Sequence, residues 1–363
     1  MRFCYQFAIS AFLLTSLSCG SAEQKGQPSQ ENKQDEAGSK AEATVLIVTA
    51  SEKYESLMIK TVGNNMDNFV FRDTVDLGSR EGIFCQNIPK NPGTHYGFQT
   101  SEDLSSYFIA MYKGNMMQQK FAWCRLYKYS PANEEWTQLI SFGKVHQPIW
   151  KYVEEAGAIV YYDKNAGLLL SHRLKNGATD TIRALNIDVR QHALSSVNGQ
   201  VQLTYVDEGQ VRRLIYESSS GEVEEEVLAE AEDFSSTYQA YVLQLYFTDP
   251  ENQGFRLYKD KELIADQPFT VGNVNSFWNE SGQFYLQGEK EIFLMNPQLD
   301  TLEQRQMNSP FIYNVLDQHV IAHERSQHDR AQTQAYLLPK DLSGKQQTDL
   351  LDSAAWVVLV KNI

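Results

Sequence analysis

One hairpin recurs along this chain: an apolar strand, a polar turn, then a more polar strand. Its copies are CRLYKYSPANEEWTQLI (124–140), LLLSHRLKNGATDTIRAL (168–185), VRRLIYESSSGEVEEEVL (211–228), GFRLYKDKELIADQPF (254–269), KEIFLMNPQLDTLEQRQM (290–307) and TQAYLLPKDLSGKQQTDLL (333–351). With Leu126, Leu170, Leu214, Leu257, Phe293 and Tyr336 as reference positions, the steps are 44, 44, 43, 36 and 43 residues. A period of roughly 40–45 residues with four strands per unit is what a β-propeller leaves in its sequence. A β-sandwich, or a string of small β domains, has less reason to keep such a step.

The rest of the chain agrees with an all-β fold. Short runs of aromatic and β-branched residues, such as TVLIVTA (44–50), SSYFIAMYKG (105–114) and VQLTYVDEG (201–209), are bounded by Gly, Asn, Asp and Ser. The third repeat divides into strands at Pro148–Glu154, Ala158–Lys164, Gly167–Leu174 and Thr179–Leu185. Turns are expected at Asn165–Gly167, Lys175–Gly177, Ser218–Gly221 and Lys259–Lys261. After the last full repeat only one strand remains, Ala354–Val360, while three precede the second blade, at 44–50, 54–62 and 68–75. One plus three completes a blade from both termini, closing the ring and hiding its sheet edges. The expectation is therefore about seven four-stranded blades over residues 44–363, with no strand assigned across 76–104.

The segment YKYSPANEEWTQL (127–139) is similar to the end of a kelch repeat, with an apolar strand, a turn, then Trp-Thr and an aliphatic residue. The likeness covers one hairpin and implies only a propeller outer hairpin.

Ahead of this body, residues 1–18 (MRFCYQFAISAFLLTSLS) combine Arg2, an apolar stretch from Phe3 to Leu17 and then small polar residues. That is the layout of a secretory signal peptide, too short and too interrupted for a span of roughly 20 apolar residues. The run Leu14-Thr-Ser-Leu-Ser-Cys19-Gly20 resembles the lipobox of bacterial lipoproteins, in which the cysteine is lipidated and becomes the first residue. It departs from that box where Ser16 and Leu17 replace the usual aliphatic and small residues. Two alternatives stay open: ordinary cleavage after Ala22, or a cytosolic chain with an apolar start. By the resemblance, Cys19 carries acyl chains, each buried methylene worth about 0.8 kcal/mol of anchoring. Gly20, in place of Asp, implies the outer membrane of a Gram-negative cell envelope. Residues 20–43 contain no aromatic and no Val, Ile or Leu. Such a segment buries too little to offset its ordering entropy, so 19–43 reads as a lipidated cysteine and disordered tether spanning roughly 27 Å.

The formal net charge is −14, which argues against a nucleic-acid partner. With Cys4 in the leader and Cys19 lipidated, Cys85 and Cys124 remain as a candidate disulfide. An oxidising compartment favours that bridge. The strand division opposes it, setting the two on strands with one strand between, at two spacings of about 4.8 Å against a Cα limit near 7 Å. His319, His323 and His328 are weighed as metal ligands and read as surface residues. The acidic run Glu222–Asp233 lacks the order of a calcium loop and reads as a solvated edge strand. Asp163, Asp207 and Asp249 end second strands, where they either form an acidic ring or cap turns. No Ser-x-Asp-x-Gly-x-x-Trp box, Gly-x-Ser-x-Gly, phosphate loop or dinucleotide fingerprint is present, and no metal or cofactor is expected. The leading expectation is a membrane-anchored module binding a protein or glycan, with Trp136, Trp150 and Trp278 suited to its surface. The alternative is an exported hydrolase or lyase acting on polysaccharide through a carboxylate pair.

Overall fold

The structure is a computed structural model that describes residues 43–362 apart from 51–55, 64–68, 78–81, 86–96, 116–119, 146–147, 188–191, 250, 280, 308–309, 316–318, 325–333 and 344–355. The expected leader, Cys19 and the expected tether up to residue 42 lie outside the described residues.

Among the described residues there are 28 strands and no helix, grouped in seven antiparallel sheets that follow one another along the chain. Blade 1 comprises β1 (Ala43–Ala50), β2 (Ser56–Gly63) and β3 (Phe69–Asp76), completed by β28 (Trp356–Asn362) in the order β28-β1-β2-β3. The ladder between β1 and β28 runs from Val45↔Asn362 to Ala50↔Trp356, with a bulge between Val48 and Thr49. The ring is thus closed by one C-terminal and three N-terminal strands, as the two ends of the sequence indicate.

Blade 3 follows the expected division closely, with β9 (Ile149–Val153), β10 (Ala158–Asp163), β11 (Leu168–Arg173) and β12 (Thr179–Ala184). Its β11–β12 turn uses Gly177 at φ +70°, a conformation that glycine adopts without penalty. Blade 4 comprises β13 (His192–Val197), β14 (Gln200–Asp207), β15 (Gln210–Glu217) and β16 (Val223–Ala229). Blade 5 comprises β17 (Ser236–Tyr238), β18 (Tyr241–Asp249), β19 (Asn252–Lys259) and β20 (Glu262–Pro268). Blade 6 comprises β21 (Val271–Trp278), β22 (Phe284–Gly288), β23 (Glu291–Met295) and β24 (Thr301–Gln306). In blade 7, β25 (Pro310–Val315), β26 (His319–Glu324) and β27 (Gln334–Pro339) are described. The polar strand read at the end of that repeat falls largely within 344–355, outside the described residues.

Blade 2 holds what the sequence left unassigned. Its first strand is split into β4 (Ile83–Phe84) and β5 (Phe98–Thr100), both paired with β6 (Tyr107–Asn115), which is followed by β7 (Lys120–Ser130) and β8 (Glu135–Gly143). The split falls at Ala110, whose carbonyl accepts from Cys85 N (3.0 Å) and whose N–H donates to Gly97 O (2.8 Å). The two broken ends meet so closely that a Cβ on Gly97 would lie 2.1 Å from the Cys85 carbonyl oxygen. Only glycine fits there.

The hydrophobic core lies between blades rather than at one centre. Trp150, Ile159, Leu169, Leu126 and Leu203 share one cluster across blades 2 to 4. Leu46, Ile59, Phe98 and Met111 join blades 1 and 2, and Leu257, Trp278 and Phe284 join blades 5 and 6. Both faces of the sheets in blades 2 to 6 are therefore apolar, and the outermost strands β12 and β24 carry the exposed polar residues. Side-chain amides help to register the blades. Gln99 Nε2 donates to Trp150 O (3.2 Å) while its Oε1 accepts from Tyr152 N (2.8 Å), so one side chain imitates a strand between blades 2 and 3. Gln287 Oε1 accepts from Ile312 N between blades 6 and 7, and Ser236 Oγ meets Ser276 Oγ at 2.6 Å between blades 5 and 6.

Candidate binding surface on blades 5 to 7

In an up-and-down blade the first-to-second and third-to-fourth turns open on one side of the ring, and the second-to-third turns on the other. Among the described residues, the large apolar side chains left exposed are Phe247, Leu263, Ile264 and Leu302, at 43–50% exposure. All lie on blades 5 and 6. Leu263 and Ile264 begin β20 and Leu302 begins β24, so these three sit beside third-to-fourth turns, on one side of the ring. Burying large apolar side chains is worth about 1.5–3 kcal/mol each, so a surface that leaves them in water is a place where a partner gains.

The same side carries a groove of about 500 Å³ between blades 6 and 7, lined by Ser281, Gln283, Leu302, Glu303, Lys340 and Asp341. Its blade 7 wall is tied to blade 6 from two sides. Tyr285 OH donates to Lys340 O (2.5 Å), and Arg305 Nη1 donates to Leu342 O (3.4 Å). Hydrogen bonding from Ser343 holds the Asp341 carboxyl below the usual range. Where blades 5 and 6 meet, Trp278 of β21 is stacked on Tyr238 (centroids 5.6 Å, 15°) and tilted on Tyr241 (5.6 Å), with Lys259 Nζ 5.3 Å from the Tyr241 ring centroid. Further along blade 5, Arg256 pairs with Asp266 (2.9 Å) and lies over the Tyr246 ring, whose hydroxyl donates to Asp266 (3.0 Å). The hydrogen bond from Arg256 keeps Asp266 below its ordinary pKa.

The residues singled out by sequence fall into different places. Trp150 and Trp278 are not surface residues: they are 0% and 4% exposed, and Trp136 is half-buried against Tyr127 and Tyr129. Their size makes them core filling where two blades meet. Asp163 Oδ1 accepts from Asn165 N and Ala166 N, and Asp249 Oδ1 from Glu251 N and Asn252 N, so both cap turns. Asp207 pairs with Arg212 at 3.9 Å. In the acidic run, Glu224, Glu225 and Glu226 lie on the outermost strand β16. Glu225 accepts from Tyr205 OH (2.7 Å), Arg212 Nη1 (3.2 Å) and Arg183 Nη2 (3.3 Å), joining blade 4 to blade 3. Burial alone would raise its pKa; the Tyr205 and Arg212 hydrogen bonds and the nearby guanidinium charges outweigh that and lower it. No group of His, Cys, Asp and Glu suited to a metal occurs among the described residues. His319 and His323 lie on β26, but their side chains, and all of His328, are outside the described set. Cys85 and Cys124 are unbridged, buried thiols, with Sγ atoms 3.8 Å apart.

The apolar rim was missed in the sequence. Leu263 faces the third strand at the register position held by Gln138, Asp180, Glu224 and Glu303 in blades 2, 3, 4 and 6, and that departure was the available signal.

No family model and no curated protein matches this chain. Several solved structures resemble it at the level of the fold. A Bacteroides fragilis protein assigned as a 6-phosphogluconolactonase aligns with 90% of this chain and 99% of its own, at 9% identity and a TM-score of 0.50. The β-propeller domain of the Trilobed protease from Pyrococcus furiosus aligns with 71% of this chain and 83% of its own, at 10% identity and a TM-score of 0.46. TolB from Acinetobacter baumannii aligns with 84% and 63%, at 7% identity and a TM-score of 0.42. The body is a β-propeller, and at such identities a likeness in fold says nothing of activity.

Proposed function

We propose that the chain is a lipid-anchored binding module: residues 1–18 a signal peptide, Cys19 the lipidated residue, 19–43 a tether, and the propeller a rigid body that presents blades 5 to 7 to a protein or glycan in the cell envelope. The observation that carries the binding part is the concentration of Leu263, Ile264 and Leu302 on the turn side that also opens the blade 6–7 groove. A rigid scaffold with an apolar rim beside a polar groove suits recognition, since hot spots are apolar anchors ringed by polar contacts. For the hydrolase reading, a general acid would need a raised pKa. The groove's Asp341 is shifted the other way.

The test is in-membrane crosslinking and glycan retention with the intact chain and with the variant Leu263→Asp, Ile264→Lys, Leu302→Glu. The intact chain is expected to give a discrete adduct or retention, lost at least tenfold in the variant. Its thermal midpoint stays within a degree or two, because these side chains are half in water already. An intact chain that stays monomeric and unretained, or a variant that binds undiminished, rejects this surface.

A further inference from the structure

We propose that Cys85 and Cys124 are a reversible thiol–disulfide pair that latches the split first strand of blade 2 to its third strand. The two cysteines flank β6: Cys85 N donates to Ala110 O, and Cys124 pairs with Tyr112. In a flat ladder two spacings of about 4.8 Å put such Cα atoms beyond the roughly 7 Å that a disulfide tolerates. The thiols nonetheless touch, at 3.8 Å.

Both backbones are irregular at these residues. At Ala110 the ladder passes from Cys85, which donates to its carbonyl, to Gly97, which accepts from its N–H. On the other side the register shifts between Cys124 and Arg125. Between them β6 offers Ala110, with no more than a methyl group. A bond length near 2.05 Å requires the sulfurs to approach by about 1.8 Å, and a strand end facing a bulge is the part of a sheet that can supply it. The surrounding Phe108, Tyr112, Leu126 and Ile140 make the pair a dry site, where burial pushes the Cys85 thiol up. The resting form is the dithiol. Exchange in either direction waits for the strand end to open.

Closure is an exchange with a disulfide of low molecular weight. The Cys85 thiolate attacks one sulfur of the oxidant and releases a thiol. Cys124, deprotonated, then attacks the mixed disulfide at Cys85 and releases the second thiol. The protein loses two protons and two electrons, and one oxidant disulfide becomes two thiols.

The experiment uses the full chain in buffers of graded reduced and oxidised glutathione. One arm is kept folded in sub-denaturing urea, and another is refolded from denaturant in the same buffers. Alkylation and peptide mapping then report each cysteine separately, so that Cys4 and Cys19 do not interfere. The expected result is a linked Cys85–Cys124 peptide pair whose fraction rises with oxidised glutathione and vanishes with dithiothreitol. The oxidised chain should also unfold a few degrees higher than the reduced one, a shift absent in Cys124→Ser. Free Cys85 and Cys124 in both arms at the most oxidising ratio, or glutathione adducts in place of the linked pair, overturn the proposal.

Discussion

Truncation after residue 355 should abolish the soluble monomer. Removing β28 strips blade 1 of the strand paired with β1 over six registered positions. At about 1 kcal/mol net for each backbone hydrogen bond, roughly 5 kcal/mol is lost before any packing is considered. A whole domain has about 5–15 kcal/mol to lose. The truncation also leaves β1, which carries the buried Leu46 and Val48, as an unpaired edge that invites strand addition from another chain. Size-exclusion chromatography and urea unfolding are expected to show oligomers or precipitate, and a midpoint well below that of the intact chain. A truncated chain that stays monomeric with an unchanged midpoint would mean that the ring is closed in some other way.

The second large effect is at Trp150. The indole is fully buried in the cluster shared by blades 2, 3 and 4, and its strand is gripped through Trp150 O by Gln99. Trp150→Ala removes the largest buried side chain of that cluster from between stacked sheets that cannot collapse without moving a blade. The expected loss is about 3–5 kcal/mol. Leu263→Ala, on the exposed edge of blade 5, should stay within about 0.5 kcal/mol. Urea titrations of the two variants separate core from rim, and equal losses would contradict that assignment.

How far the fold could be read in advance follows from the chemistry of a blade. Leu126, Leu170, Leu214, Leu257, Phe293 and Tyr336 all fall on third strands, β7, β11, β15, β19, β23 and β27. The third strand stays apolar while the fourth meets water, and that contrast survives in sequence. Which way an aromatic points does not survive. Each sheet is sandwiched between neighbours, so alternation no longer separates inside from outside, and Trp150 and Trp278 read as surface residues when they are core. The split first strand of blade 2 was invisible for a local reason. β4 and β5 are two and three residues long, below the length at which a pattern of period two can be recognised, and they are brought together by their shared pairing with β6. The binding surface was hidden by the same two-sidedness. Leu263 and Ile264 look like members of a buried strand, and only their position on β20 exposes them.

We propose that this propeller works at a membrane, held there through Cys19. The most direct test is fractionation of cells expressing the intact chain or Cys19→Ser, with a fatty-acid label and detergent-phase partitioning. The intact chain is expected to be labelled and to pellet with membranes, while Cys19→Ser is unlabelled and moves to the soluble fraction with its fold unchanged. A Cys19→Ser chain that remains with the membrane, or an intact chain that is soluble and unlabelled, would contradict it.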